Sequence, residues 1–122
     1  MAQQVVHFEI IGTGPVKLRD YYGELFGWEF ATGGPVAEEV SDAGDYGFTE
    51  SATIPGGVGG GARFTPHTVF NVGVPDVEAA LARAESLGGT RVMGPARAPG
   101  TGLIVAHFTD PEGNLIGLAQ VS

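Results

Sequence analysis

No cysteine occurs among the 122 residues of the chain. That absence excludes a disulfide framework, a thiol nucleophile and a thiolate metal site. Positive charge is scarce as well: six lysines and arginines stand against fourteen acids, for a formal net charge of −8. A phosphate-binding surface needs clustered cations, so nucleic acid is not an expected partner. There is no apolar run of membrane-spanning length, and the segment from Met1 to His7 lacks the basic and apolar regions of a signal peptide. A soluble cytoplasmic protein without a membrane partner is the expectation. Apolar residues (43%) and glycine are abundant, while charged residues make up only 16%. Such a chain folds rather than staying disordered. Its length suits one compact domain, or two very small modules sharing a core. The 21 glycines are more than twice the usual share of roughly 7%.

Alternation of His7 and Glu9 with Val6, Phe8 and Ile10 predicts a strand over 5–11. Pro15 suits a first helical turn. Leu18, Tyr21, Tyr22, Leu25 and Phe26 then form a helical stripe, expected to pack on the sheet and to stop at Gly27. Strands are expected over 28–31, 46–49 and, loosened by glycine, 58–64. The second half repeats the order. A strand over 68–74 leads to an Asp76 N-cap, and Val77, Ala80, Leu81, Ala84 and Leu87 make a second stripe. Strands over 90–93, 103–108 and 115–119 follow, the last two joined by an Asp110-Pro111-Glu112-Gly113-Asn114 turn. An offset of 62 residues lays Ile10 on Val72, Leu18 on Ala80, Leu25 on Leu87 and Gly27 on Gly89. The chain therefore reads as a duplicated strand–helix–three-strand unit whose halves must combine to bury a core.

His7-Phe8-Glu9-Ile10 with Tyr21-Tyr22-Gly23-Glu24-Leu25-Phe26-Gly27-Trp28 resembles the opening of the vicinal oxygen chelate superfamily, which includes glyoxalase I, bleomycin-resistance proteins and extradiol dioxygenases. Asp76-Val77-Glu78-Ala79-Ala80-Leu81 with Gly88-Gly89, and Phe108-Thr109-Asp110-Pro111-Glu112-Gly113-Asn114, resemble its second-half motifs. The resemblance implies an α+β fold in one domain over 1–122. Two βαβββ modules, 4–64 and 67–121, would curl into one cup-shaped mixed sheet, usually completed in a homodimer.

Metal-using members of the superfamily carry four ligands, one on the first and one on the last strand of each module. The first-strand position matches His7, and its counterpart at the 62-residue offset is Val69. The last-strand positions fall within 59–62, which holds no carboxylate, and on Gly117. The usual set is thus incomplete, so no cofactor is expected and a divalent metal is disfavoured. A relocated metal site would have to draw on His7, Glu9, Glu50, His67 and His107, with His67 read as a solvated connector residue.

Alternation puts His7, Glu9, Asn71, His107 and Gly117 on the inner side of the cup. His7 beside Glu9 is the candidate catalytic pair, a general base with an orienting carboxylate. His7, Asn71, His107 and Trp28 are candidate ligand contacts. Trp28, just past the helix end, lines either the core or the cavity. The glycine-rich stretch 56–61 lacks the Lys-Ser/Thr and helix of a phosphate cradle and reads as a flexible connection and module linker. Arg97 reads as a surface arginine, or as a contact for an anionic ligand at the cup mouth. The function expected first is small-molecule binding or sequestration of the bleomycin-resistance kind. The alternatives are a metal-independent lyase or isomerase using His7 as base, and a glyoxalase- or dioxygenase-type metalloenzyme with relocated ligands.

Overall fold

The computed structural model describes residues 2–120. Its elements run β1 (Val5–Gly12), α1 (Pro15–Phe26), β2 (Ala31–Thr32), β3 (Gly47–Thr49), β4 (Gly56–Gly60), then β5 (His67–Val74), α2 (Val77–Ser86), β6 (Thr90–Arg97), β7 (Ile104–Thr109) and β8 (Leu115–Gln120). The eight strands form one curled mixed sheet in the order β2-β3-β4-β1-β5-β8-β7-β6. Each half contributes four adjacent strands, and the halves join where β1 pairs antiparallel with β5. Phe8 faces Phe70 across that seam. These are the residues that the 62-residue offset superimposes, so the internal pseudo-twofold passes between them. The modules therefore pair within one chain.

Local chemistry explains the element ends. Pro15 opens α1, and Gly27 closes it at φ +73°, its N–H donating to the Gly23 carbonyl at 2.9 Å. Asp76 caps α2, accepting from the Ala79 N–H at 3.0 Å. Asp110 Oδ1 accepts from the N–H groups of Glu112 and Asn114, both at 2.9 Å, which locks the turn before β8.

The helices cover one face of the sheet. Val77 and Leu81 of α2 pack on Val74, Ala106 and Leu118, with Val72 and Phe108 beside them. Under α1, Phe8 meets Trp28 at 5.2 Å between ring centroids. On the concave face, Ile11 and Ala96 pack against Ala37 and Val40 of the 33–46 loop, with Met93 and Val105 alongside. That loop folds into the cup and is held there by Ser41, whose Oγ accepts from the Gly60 N–H at 2.9 Å.

Several sequence expectations change. The 56–61 stretch is not a linker: Gly56–Gly60 is β4, wholly buried and paired with both β1 and β3. Glycine is needed there because rings press against the strand where a Cβ would sit, Phe8 at Gly56 on one face and Tyr46 at Gly57 on the other. The strand expected over 28–31 shrinks to the two residues of β2, while that over 90–93 extends to Arg97. His67 begins β5 rather than lying in a connector. The α1 stripe is only partly covered. Leu18 and Tyr22 are half-buried, but Tyr21, Leu25 and Phe26 are 59%, 55% and 56% exposed. The helix turns its Leu18 and Tyr22 edge, not the whole stripe, to the sheet.

Candidate functional site

The cup holds a cavity of about 580 Å³. This is the size range of small-molecule sites, about 300–1,000 Å³. Its walls are apolar: Val36, Ala37 and Val40 from the 33–46 loop, Phe48 from β3, and Leu103, Val105 and Ala119 from the second module. Polar groups collect at one end, where His7, Glu9, Tyr46 and Asn71 meet.

Strand geometry puts them together. His7 and Glu9 are two residues apart on β1 and share a face. Asn71 sits directly opposite His7 on β5, and Gly57 directly opposite Glu9 on β4. Tyr46, just before β3, lays its ring over Gly57 and brings its hydroxyl between the two β1 side chains. The Tyr46 hydroxyl donates to Glu9 Oε2 at 2.8 Å. Its single proton being spent there, the 3.3 Å contact with His7 Nε2 requires the imidazole to donate. Nδ1 of His7 is then an acceptor, and the Asn71 amide lies 3.3 Å from it as donor. With the Tyr46 proton on Glu9 and the Asn71 nitrogen turned to Nδ1, the proton of a neutral His7 belongs on Nε2.

Burial shapes the titration of this end. Desolvation pushes the Glu9 carboxyl up to about 7, while the Tyr46 and Asn71 hydrogen bonds pull the other way. Desolvation lowers His7 to about 4, in accord with its neutral tautomer. Burial, then the charge of Glu9 and the hydrogen bond to it, push the Tyr46 phenol up, so it stays protonated. The arrangement offers a carboxyl poised near neutrality, a phenol that donates to it while accepting from the imidazole, and an imidazole held as a neutral spacer.

Of the candidates read from sequence, His7, Glu9 and Asn71 thus come together in the cavity. The others lie outside its lining. His107 faces inward but sits one strand further on, across β8 from Asn71 with Gly117 between them. It is buried against His67, ring centroids 6.3 Å apart, its Nε2 has no partner, and burial lowers its pKa to about 4. Trp28 belongs to the core side, in an aromatic cluster with Phe8, Tyr22, Phe26 and Phe30. Arg97 turns to the Thr101 carbonyl at 3.4 Å and does not line the cavity. Tyr46 and Phe48 are site residues that the sequence reading left as ordinary strand positions. The one sequence signal for Tyr46 is the glycine run of β4, since glycine inside a strand marks the close approach of another group.

The four metal positions implied by the resemblance can be tested on this geometry. Register moves the first-module last-strand position to Gly57, because Gly57 pairs with Glu9 as Gly117 pairs with Asn71. A side chain at Gly57 would run into the Tyr46 ring, and one at Gly117 into Asn71 Oδ1. Val69 offers no donor atom. Tyr46 and Asn71 occupy the space that ligating carboxylates would need, so these residues do not fit the metal. Among the described residues, no group of three or more histidines or carboxylates is arranged to hold an ion elsewhere.

Comparison with known proteins places the chain. The family model of the Glyoxalase/Bleomycin resistance protein/Dioxygenase superfamily matches residues 4–118. No curated protein matches the sequence. Among solved structures, a hypothetical protein from Bacillus halodurans C-125 superimposes with a TM-score of 0.70 at 13% identity, over 100% of this chain and 96% of the other. A variant of Streptomyces coelicolor methylmalonyl-CoA epimerase, in complex with 2-nitronate-propionyl-CoA, gives a TM-score of 0.69 at 16% identity, over 100% and 99%. A member of the same superfamily from Vibrio splendidus 12B01 gives 0.58 at 15% identity, over 98% and 100%. At these identities the structures speak for the fold alone. With the family model spanning nearly the whole sequence, the chain belongs to the glyoxalase/bleomycin resistance protein/dioxygenase superfamily.

Proposed function

We propose that the protein binds a small, largely apolar molecule in the cup, in the manner of binding or sequestration rather than metal chemistry. The observation that carries this reading is the cavity itself: apolar walls closed at one end by the His7–Tyr46–Glu9–Asn71 network. The CoA ligand of the Streptomyces structure finds no support here, because no lysine or arginine lines the cavity among the described residues. Titration with 2-naphthol, followed by amide chemical shifts, tests the reading. Shifts centred on His7, Glu9, Phe48 and Asn71 are expected. Saturable binding confined to another surface would overturn it.

One observation favours a second reading, metal-independent proton transfer of the lyase or isomerase kind. It is the carboxyl of Glu9 inside the cavity with a phenol donating to it. Here Glu9, not His7, is the better base, since both ring nitrogens of His7 are engaged. Turnover that survives chelator and is lost in Glu9→Gln would establish it. The homodimer and the cytoplasmic location are proposals too. Exposed Tyr21, Leu25 and Phe26 on α1 support the dimer, which light scattering checks. No helix among the described residues is long and apolar enough to cross a membrane.

A further inference from the structure

The polar end of the cavity has its donors spent and acceptors to spare. The Tyr46 hydroxyl donates to Glu9, the His7 Nε2–H to Tyr46, and the Asn71 amide to His7. Against these, the Glu9 carboxylate lacks a cation, and Asn71 Oδ1 is buried without a partner. Among the described residues that line the cavity, Glu9 is the sole acid and no lysine or arginine faces it. The arginines nearest in sequence to the lining segments are committed elsewhere. Arg19 donates to the Asp45 carbonyl at 2.6 Å, Arg63 pairs with Asp42 at 3.1 Å, and Arg97 turns to Thr101.

An unpaired carboxylate out of water is costly, and an unpartnered acceptor beside it adds to the cost. An incoming anion would meet only acceptors, with nothing left to donate to it. A neutral molecule would fill the apolar walls and leave the charge uncompensated. A protonated amine brings a positive charge and up to three N–H donors to the place where both are missing. Phe48, on the cavity wall and stacked near His7, adds a π face of the kind that attracts an ammonium.

We propose that the ligand of this cavity is an amphipathic organic cation, a protonated amine on a small apolar or aromatic body, with the Glu9 carboxylate as its counter-charge. The proposal rests on the binding reading above and names the ligand class for that same cavity. A cation of this kind sits with its apolar body against Val36, Val40 and Leu103 and its ammonium toward Glu9.

Three probes with a common body and different heads test it: 4-phenylbutylamine, 4-phenylbutan-1-ol and 4-phenylbutyrate. Each is titrated calorimetrically at pH 8 into the wild-type chain and Glu9→Gln, with amide shifts to locate the site. The amine should bind about tenfold or more tighter than the alcohol, the scale of one charge-assisted contact. The carboxylate should be weakest. In Glu9→Gln the amine should fall to the level of the alcohol, whose own affinity changes less than about twofold. Butyrate binding as tightly as the amine overturns the proposal while leaving the binding reading intact, as does amine affinity unchanged in Glu9→Gln. The charge series on the wild-type chain decides even where the variant fails to fold. If none of the three enters the cavity, the binding reading fails and the proposal falls with it.

Discussion

Replacing Glu9 with glutamine should stabilise the protein, and only above the acid range. The carboxyl ordinarily titrates near 4.5 but is held near 7 by burial in the folded chain. Between those values the folded state keeps a proton that the unfolded state has released. Stability therefore falls as pH rises through this window and stays lower above it. At ~1.4 kcal/mol per pH unit the gap amounts to about 3 kcal/mol once both states are ionised. A glutamine amide keeps an oxygen for the Tyr46 hydroxyl and has no proton to lose. The stability difference between Glu9→Gln and wild type should thus be near zero at pH 4 and grow to about 3 kcal/mol by pH 8, or roughly 10 °C in Tm. His7 and His107 titrate in both proteins and cancel in the difference. Urea denaturation followed by circular dichroism across pH 4 to 8 measures it. A difference that does not change with pH, or a variant less stable than wild type at pH 8, would refute the burial of an uncompensated carboxyl.

Other consequences follow from the same geometry. Gly117→Ala forces a methyl group onto Asn71 and should cost about 1–3 kcal/mol by calorimetry, whereas Gly102→Ala, with open space around it, should cost nothing measurable. Trp28→Ala should lower stability by at least about 2 kcal/mol through the lost aromatic cluster while leaving affinity for a cavity ligand unchanged in calorimetric titration. Folding favours the neutral form of His7 and His107, so their contribution to stability is present above pH 6.5 and lost as pH falls toward about 4. Proton NMR of the imidazoles should show both titrating near 4, and a midpoint near 6.5 for either would contradict its burial.

Much of this architecture is legible in the sequence because it is local. Alternation around His7 and Glu9 gives the face of β1, Asp76 and Pro15 give the helix starts, and the 62-residue offset leads to the Phe8–Phe70 seam. What is lost is lateral and long-range. Alternation says that His107 faces inward, but not that a whole strand separates it from Asn71. The helical stripe of α1 says which residues are apolar, but not that the sheet covers only its Leu18 and Tyr22 edge. The glycines of β4 look like a flexible linker because the rings that require them, Phe8 and Tyr46, come from distant positions in the chain. For the same reason Tyr46 escapes notice. Its role exists only once β4 has been laid beside β1 and the loop before β3 has folded into the cup.

Tyr46 and Asn71, packed over Gly57 and Gly117, fill the space that carboxylate ligands beside His7 would need, and on the proposed function they floor a small-molecule cavity instead of a metal centre. Equilibrium dialysis of the purified chain and of His7→Ala against Zn²⁺, Mn²⁺ and Ni²⁺, followed by elemental analysis, tests it most directly. Metal well below one ion per chain is expected at this site, with no difference between the two proteins. One equivalent of metal held by the wild-type chain and lost in His7→Ala would contradict it.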